Sequence, residues 1–153
     1  MAQFAYETRL DCPPDVLFEF LLKPANVARV ADPSTGLQII EGPDVVTVGS
    51  RIRFQLVTYG QIQKMVHEII AVDRPNLVVE KQIEGPTRAW EHRHLFQPAG
   101  DGVLMIDEIE FEPPGGVLGF IATPARICDS LEENFFARQR TLEQLVASGG
   151  LLG

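Results

Sequence analysis

Trp90-Glu91-His92-Arg93-His94-Leu95-Phe96 carries two imidazoles and two aromatic rings within seven residues. Read with the period of a β-strand, Trp90, His92, His94 and Phe96 share one face. Glu91 and Arg93 lie on the other, with Leu95 the exception. A plain core strand would show Val, Ile or Leu on its inner face. Aromatic rings with interspersed imidazoles suit a pocket wall, which is mostly apolar with a few placed polar groups. The next run, Val103 to Glu112, carries Asp107 among Val103, Met105, Ile109 and Phe111. A loop over Pro98–Asp101 would set Phe96 opposite Val103, His94 opposite Met105, His92 opposite Asp107 and Trp90 opposite Ile109. A carboxylate against an imidazole fixes its tautomer and raises its pKa. The pair His92/Asp107 is therefore the candidate acid–base centre, able to donate to a carbonyl or move a proton. The bland alternative is a buried polar pair that satisfies only itself. A one-residue slip would instead give an Arg93–Asp107 ion pair on the outer face.

Other chemistry is less well supported by spacing. His92 and His94 could chelate a metal, with Asp107 third and His67 fourth. But His67 falls two strands away, about 10 Å, on a strand of ambiguous phase, and nothing else completes a tetrahedral set. The expectation is no metal and no cofactor. Cys12 precedes a helix, whose dipole lowers a thiol pKa, yet no His lies near it in sequence. Cys128 sits beside a helical stripe and reads as packing. Two cysteines are too few for a disulfide framework. Arg138 falls on the apolar stripe of the last helix, between Phe135 and Leu142. There it needs a buried partner, or it snorkels to solvent, the more common outcome.

The elements that must position these groups are legible from punctuation. Phe4, Tyr6 and Leu10 alternate with Glu7 and Arg9, so residues 3–10 form a strand. Pro13-Pro14-Asp15 opens a helix carrying Val16, Leu17, Phe20 and Leu21, which Pro24 ends. A second short helix covers Ala25 to Ala31. Strands follow at Leu37–Glu41, Arg51–Tyr59, Gln61–Val72, Leu77–Glu84, Arg88–Gln97 and Val103–Glu112, separated by Gly, Pro, Asn and Asp. Val117–Ala122, after Gly115-Gly116, is a short apolar segment that could serve as a lid or equally as a helix entry packed against the sheet rim. Thr123-Pro124 caps a final helix to about Ala147, with Ile127, Leu131, Phe135, Leu142 and Leu145 as its stripe. One curved antiparallel sheet and one long amphipathic helix bury their faces by wrapping the sheet around the helix. A gap between them would be a cavity.

Composition bounds the function. The 153 residues fit one domain, and the net charge of −8 argues against nucleic acid and anionic lipid. No apolar run reaches the ~20 residues of a membrane span. No basic segment leads into an apolar one at the N-terminus, so a cytoplasmic location is expected.

Gly85-Pro86 through Phe96 resembles the GP-x(3)-W-x-H-x-H-x-F segment of a bacterial branch of the SRPBCC superfamily. Asp107-Glu108-Ile109-Glu110-Phe111-Glu112-Pro113, with Gly116 and Leu118-Gly119, resembles its D-x-V-x-Y-x-x-P…G-x-L-G segment. The resemblance covers essentially the whole chain, and Phe111 departs from it by replacing a tyrosine. It implies an α+β helix-grip (START-like) fold and a polyketide cyclase/dehydrase-like or ligand-binding protein. The superfamily also includes lipid carriers, hormone receptors and co-chaperones, so fold alone does not decide function.

The leading expectation is a binder of a small hydrophobic molecule with a ring or acyl chain and one or two oxygens. Phe54, Leu56, Trp90, Phe96, Met105 and Ile109 would be its walls, and His92, His94 and Asp107 its polar contacts. The alternatives are a cyclase-type enzyme using His92 as base with Asp107 orienting it, and a protein-interaction module. A homodimer is compatible with each.

Overall fold

In a computed structural model, which describes residues 1–151, the strands build one antiparallel sheet in the order β1-β7-β6-β5-β4-β3-β2. These are β1 (Ala2–Leu10), β2 (Gln38–Glu41), β3 (Arg51–Thr58), β4 (Gln61–Asp73), β5 (Leu77–Glu84), β6 (Ala89–Ala99) and β7 (Gly102–Glu112). Helices α1 (Pro14–Leu21) and α2 (Pro24–Val30) follow β1. The short α3 (Gly116–Ile121) and the long α4 (Pro124–Ser148) close the chain. Each expected element is present, within a few residues of its expected bounds.

Alternation does most of the positioning. On β7, Val103, Met105, Asp107, Ile109 and Phe111 are buried, while Glu108, Glu110 and Glu112 are exposed. On β1, Phe4, Thr8 and Leu10 are buried while Gln3, Ala5, Glu7 and Arg9 are exposed. Both strands thus turn one face to the helix layer.

Pro14 starts α1 at a position where the missing N–H costs nothing, and the helix buries Leu17, Phe18 and Phe20. Thr123 caps α4, its Oγ1 accepting from the Arg126 N–H at 3.3 Å. Gly149, with a φ of 74°, ends it. Along α4 the buried or half-buried stripe is Ile127, Leu131, Phe135, Arg138, Leu142 and Leu145. Arg138 is thus one of its inward positions.

The apolar interior falls into two clusters. One gathers Phe18, Leu22, Val30, Phe96, Val103, Met105 and Leu142 under α1. The other gathers Phe4, Ile109, Phe111 and Ile127, with Trp90, Leu118 and Phe135 packed against it. Each large apolar side chain so buried contributes about 1.5–3 kcal/mol.

The β6–β7 register corrects one expectation. The hairpin loop is only Gly100-Asp101, with Ala99 opposite Gly102, so His94 faces Asp107, His92 faces Ile109 and Trp90 faces Phe111. Every pairing moves by two residues, which preserves the faces. The cause is local. Gly100 adopts a φ of 58°, as a tight hairpin turn requires. Pro98 is tolerated inside the strand because the Phe96 N–H, two residues earlier, already meets the last residue before β5, Asn76, at 2.8 Å. The Pro98 nitrogen points the same way, past the end of β5, where no ladder partner exists. No helix among the described residues is long and apolar enough to cross a membrane.

Candidate functional site

All three histidines of the chain converge on one carboxylate, Glu80 of β5. Strand order explains the meeting, because β5 lies between β4, which carries His67, and β6, which carries His92 and His94. Glu80 Oε2 lies 3.3 Å from His67 Nδ1. Its Oε1 lies 3.0 Å from His94 Nε2 and 3.3 Å from His92 Nδ1. One strand further, Asp107 meets the far side of the same rings. Its Oδ1 lies 2.8 Å from His92 Nε2 and 3.2 Å from His94 Nδ1. The two imidazoles stack with centroids 3.7 Å apart, sandwiched between the two carboxylates.

Arg138 closes the network from the helix side. It binds Asp107 through both terminal nitrogens, Nη1 to Oδ1 at 3.3 Å and Nη2 to Oδ2. The expectation that Arg138 snorkels to solvent is corrected: it is 9% exposed and Asp107 is fully buried. A buried carboxylate with a bidentate guanidinium is worth more than a solvated arginine beside an unpaired buried acid. The guanidinium also lies over the Phe135 ring at 4.3 Å. Phe135 in turn stacks on Phe4 and Tyr6, each at 5.8 Å, and meets His92 edge-on at 5.8 Å. The Tyr6 hydroxyl donates to Gln139 Oε1 at 2.7 Å, tying β1 to α4.

The charges follow from these contacts. Burial would raise the Glu80 carboxyl, but hydrogen bonds from His67, His92 and His94 outweigh it and hold Glu80 well below the usual range. Burial works the same way on Asp107, where the Arg138 charge and both imidazoles hold it low. For His94 burial would lower the pKa, yet hydrogen bonds to Asp107 and Glu80 push it up to about 9.

The candidate residues are thus partly gathered and partly dispersed. His92, His94 and Asp107 meet, and His67 joins them through Glu80. Glu80 itself is invisible in the sequence, where Val78-Val79-Glu80-Lys81 reads as a strand with a solvated charge. The signal available was its place midway along a strand flanked by two histidine-bearing strands. Phe54 lies beside the cluster, its ring edge-on to His67 at 4.8 Å. Leu56, two residues along β3, faces Gln63. Trp90 packs on Phe111 at 5.6 Å, in the same apolar cluster as Ile109. Phe96 meets Phe18 at 5.2 Å and shares the opposite cluster with Met105.

Two hollows of the described residues lie elsewhere than between the sheet and the middle of α4. One, of about 300 Å³, lies on α4 among Phe136, Arg140, Glu143 and Gln144. The other, of about 230 Å³, lies where Cys12 and Val16 approach Val146 and Gly149. Arg138 and Phe135 occupy the space over the imidazole pair instead. Both cysteines are free. Burial, with Asp11 and Asp15 nearby, pushes the Cys12 thiol up, opposite to the helix-dipole expectation. Glu80, His92 and His94 present three potential ligand atoms within 4.8 Å of one another.

A seven-stranded antiparallel sheet holding a C-terminal helix against its inner face, with two short helices after the first strand, is also the architecture of solved proteins. TTHA0849 from Thermus thermophilus superposes with a TM-score of 0.76 at 17% identity, covering 96% of this chain and 98% of that one. The fold is the α+β helix-grip fold. Ara h 8.0201 shares it at a TM-score of 0.69 and 17% identity, over 95% of this chain and 97% of its own. Major latex-like protein 151 from Panax ginseng shares it at 0.67 and 20% identity, over 93% and 95%. No protein-family model and no curated protein sequence matches the chain. Identities this low carry the helix-grip architecture and not the activity.

Proposed function

We propose that the chain binds a small hydrophobic molecule bearing one or two oxygens, at the Trp90 end of the interface between the sheet and α4. The observation that carries the reading is the ionic network inside an otherwise apolar layer. Nothing in the packing of a sheet on a helix requires Glu80, Asp107, Arg138 and two imidazoles there. Charges are kept in such places when they are paired and when they serve to recognise something. Two buried polar atoms beside this layer, Arg138 Nε and Thr8 Oγ1, have no hydrogen-bond partner among the described residues. At the same end Trp90, Leu118, Leu131 and Phe135 are only half buried, which supports an apolar mouth. The helix-grip architecture is compatible with a ligand between its layers. The apolar body would lie among Trp90, Ile109 and Phe135, and an oxygen would take the Arg138 donor.

The acid–base alternative is favoured by the His92–Asp107 hydrogen bond. Against it, both nitrogens of His92 face a carboxylate, so neither is free to take a substrate proton. The interaction-module alternative draws on α3, where Val117 and Phe120 are 78% and 85% exposed.

Trp90 is the one tryptophan of the chain, so its fluorescence reports on its surroundings alone. Titration with 1-naphthoate is expected to quench it saturably, one molecule per chain. Arg138→Lys keeps the charge but loses the fork, and should weaken naphthoate about tenfold while leaving naphthalene binding nearly unchanged. No saturable response to naphthoate, 1-naphthol or decanoate, together with no co-purified small molecule in native mass spectra, would overturn the reading.

A further inference from the structure

We propose that Glu80, His92 and His94 form a binding site for one divalent transition-metal ion of the zinc class. The site goes beyond the hydrophobic-ligand reading and does not depend on it. A neutral imidazole has one N–H and one lone pair. Asp107 accepts only, being ionised by its Arg138 fork, and it lies 2.8 Å from His92 Nε2 and 3.2 Å from His94 Nδ1. Both of those nitrogens therefore carry the hydrogen. Of the remaining nitrogens, His94 Nε2 donates to Glu80 Oε1 at 3.0 Å, and His92 Nδ1 lies 3.3 Å from the same oxygen. Three potential ligand atoms thus lie within 4.8 Å of one another, held together by one shared proton. A divalent cation at their centre would take the place of that proton.

The spacing of the ligand atoms admits such an ion once the stacked rings tilt to bring their lone pairs together. Zinc bonds of about 2.0–2.1 Å in a tetrahedron set neighbouring ligand atoms about 3.3–3.4 Å apart. Two imidazoles and one carboxylate are a recurring ligand set for zinc, and three protein ligands leave a position for water or another oxygen. The surroundings match what metal-binding histidines require. A carboxylate takes the far N–H of each ring, fixing tautomer and orientation. His67 Nδ1 meets Glu80 Oε2 at 3.3 Å and so steadies the carboxylate from its other side. Glu80 and His94 side chains remain 22% and 20% exposed, which gives an ion a way in. Sequence spacing misses the set because Glu80 is contributed by the neighbouring strand.

The test uses the full chain, stripped with a chelator, titrated with Zn²⁺ by calorimetry and with Co²⁺ by visible absorption. One ion per chain is expected, with cobalt d–d bands from nitrogen and oxygen ligands. Glu80→Gln and His94→Asn, checked for folding by circular dichroism, should abolish stoichiometric binding. Asp107→Asn should keep the one-to-one ratio and weaken it about 10–100-fold. If those variants do not fold, X-ray absorption of the zinc-loaded wild type decides, with two imidazoles in the first shell expected. Absence of stoichiometric binding by the folded wild type, binding unchanged in Glu80→Gln, or sulfur in the first shell would overturn the proposal.

Discussion

Arg138 is the side chain on which the interior charge balance turns. It neutralises a fully buried Asp107 from the helix, while the two imidazoles do so from the sheet. Removing one member of a buried pair leaves an uncompensated charge and costs about 3–5 kcal/mol. Arg138→Leu should lose stability on that scale, read as a fall in the urea midpoint with an unchanged slope. A loss below about 1 kcal/mol would mean the pair is solvated after all. His94 gives a second prediction, for the metal-free protein. Its folded pKa of about 9 lies above its usual value of 6.5. A group raised in this way stabilises the fold fully below the unfolded pKa and loses that contribution as pH rises through the folded one. Stability should therefore decline between about pH 6.5 and 9. Glu80 and Asp107 are depressed, so their contributions are present above the ordinary carboxylate range and fade only in strong acid. His94→Gln should flatten the alkaline slope, and urea midpoints from pH 6 to 9.5 check it. His92, His94 and Asp107 were legible in the sequence because a strand's period of two fixes which side chains share a face. Glu80 was not, because only strand pairing shows that its neighbours are histidines. Arg138 was visible on the stripe, but a stripe does not say whether a long cation turns inward or out.

At the scale of elements, the β6–β7 hairpin decides which residues face each other across the cluster. The two-residue turn depends on Gly100 and its φ of 58°. An L-residue with a side chain pays about 1–2 kcal/mol in that conformation. Gly100→Val should lower stability by about that amount, measured by thermal unfolding, and disturb the His94–Asp107 contact visible in imidazole NMR shifts. An unchanged melting temperature would show the turn to be replaceable. The two-residue error in register has the same origin. Pro98 looks like the start of a loop by composition, and only the end of β5 makes it tolerable inside a strand. Element limits elsewhere were legible because prolines, glycines and one threonine cap mark them: Pro14, Pro24, Thr123 and Gly149.

Across the whole molecule, one ionic layer divides the apolar interior. On one side Phe18, Phe96 and Met105 pack with no exposure above 3%. On the other, the apolar surroundings of Trp90 stay half open beneath α3. The order of strands and helices predicted this architecture correctly, since a single sheet and a single long stripe have few ways to bury both faces. It did not predict that Phe135 and Arg138 cover the imidazole pair. Packing volume depends on where Phe135 and Arg138 point, and periodicity is silent on that. The asymmetry has a consequence for binding. A ligand entering at the Trp90 end must displace or reorient Phe135, which touches Phe4, Tyr6 and His92 at once. The Phe18 end, already close-packed, gains nothing from occupancy. Hydrogen exchange of the naphthoate-saturated protein should therefore slow in α3, in residues 2–6 and in residues 124–135, while α1 and the Gly100 hairpin exchange as in the free protein. Slowing confined to α1 would place the ligand under the wrong cluster. Uniform slowing throughout the chain would mean that binding stabilises the fold globally, with no local seat at Trp90.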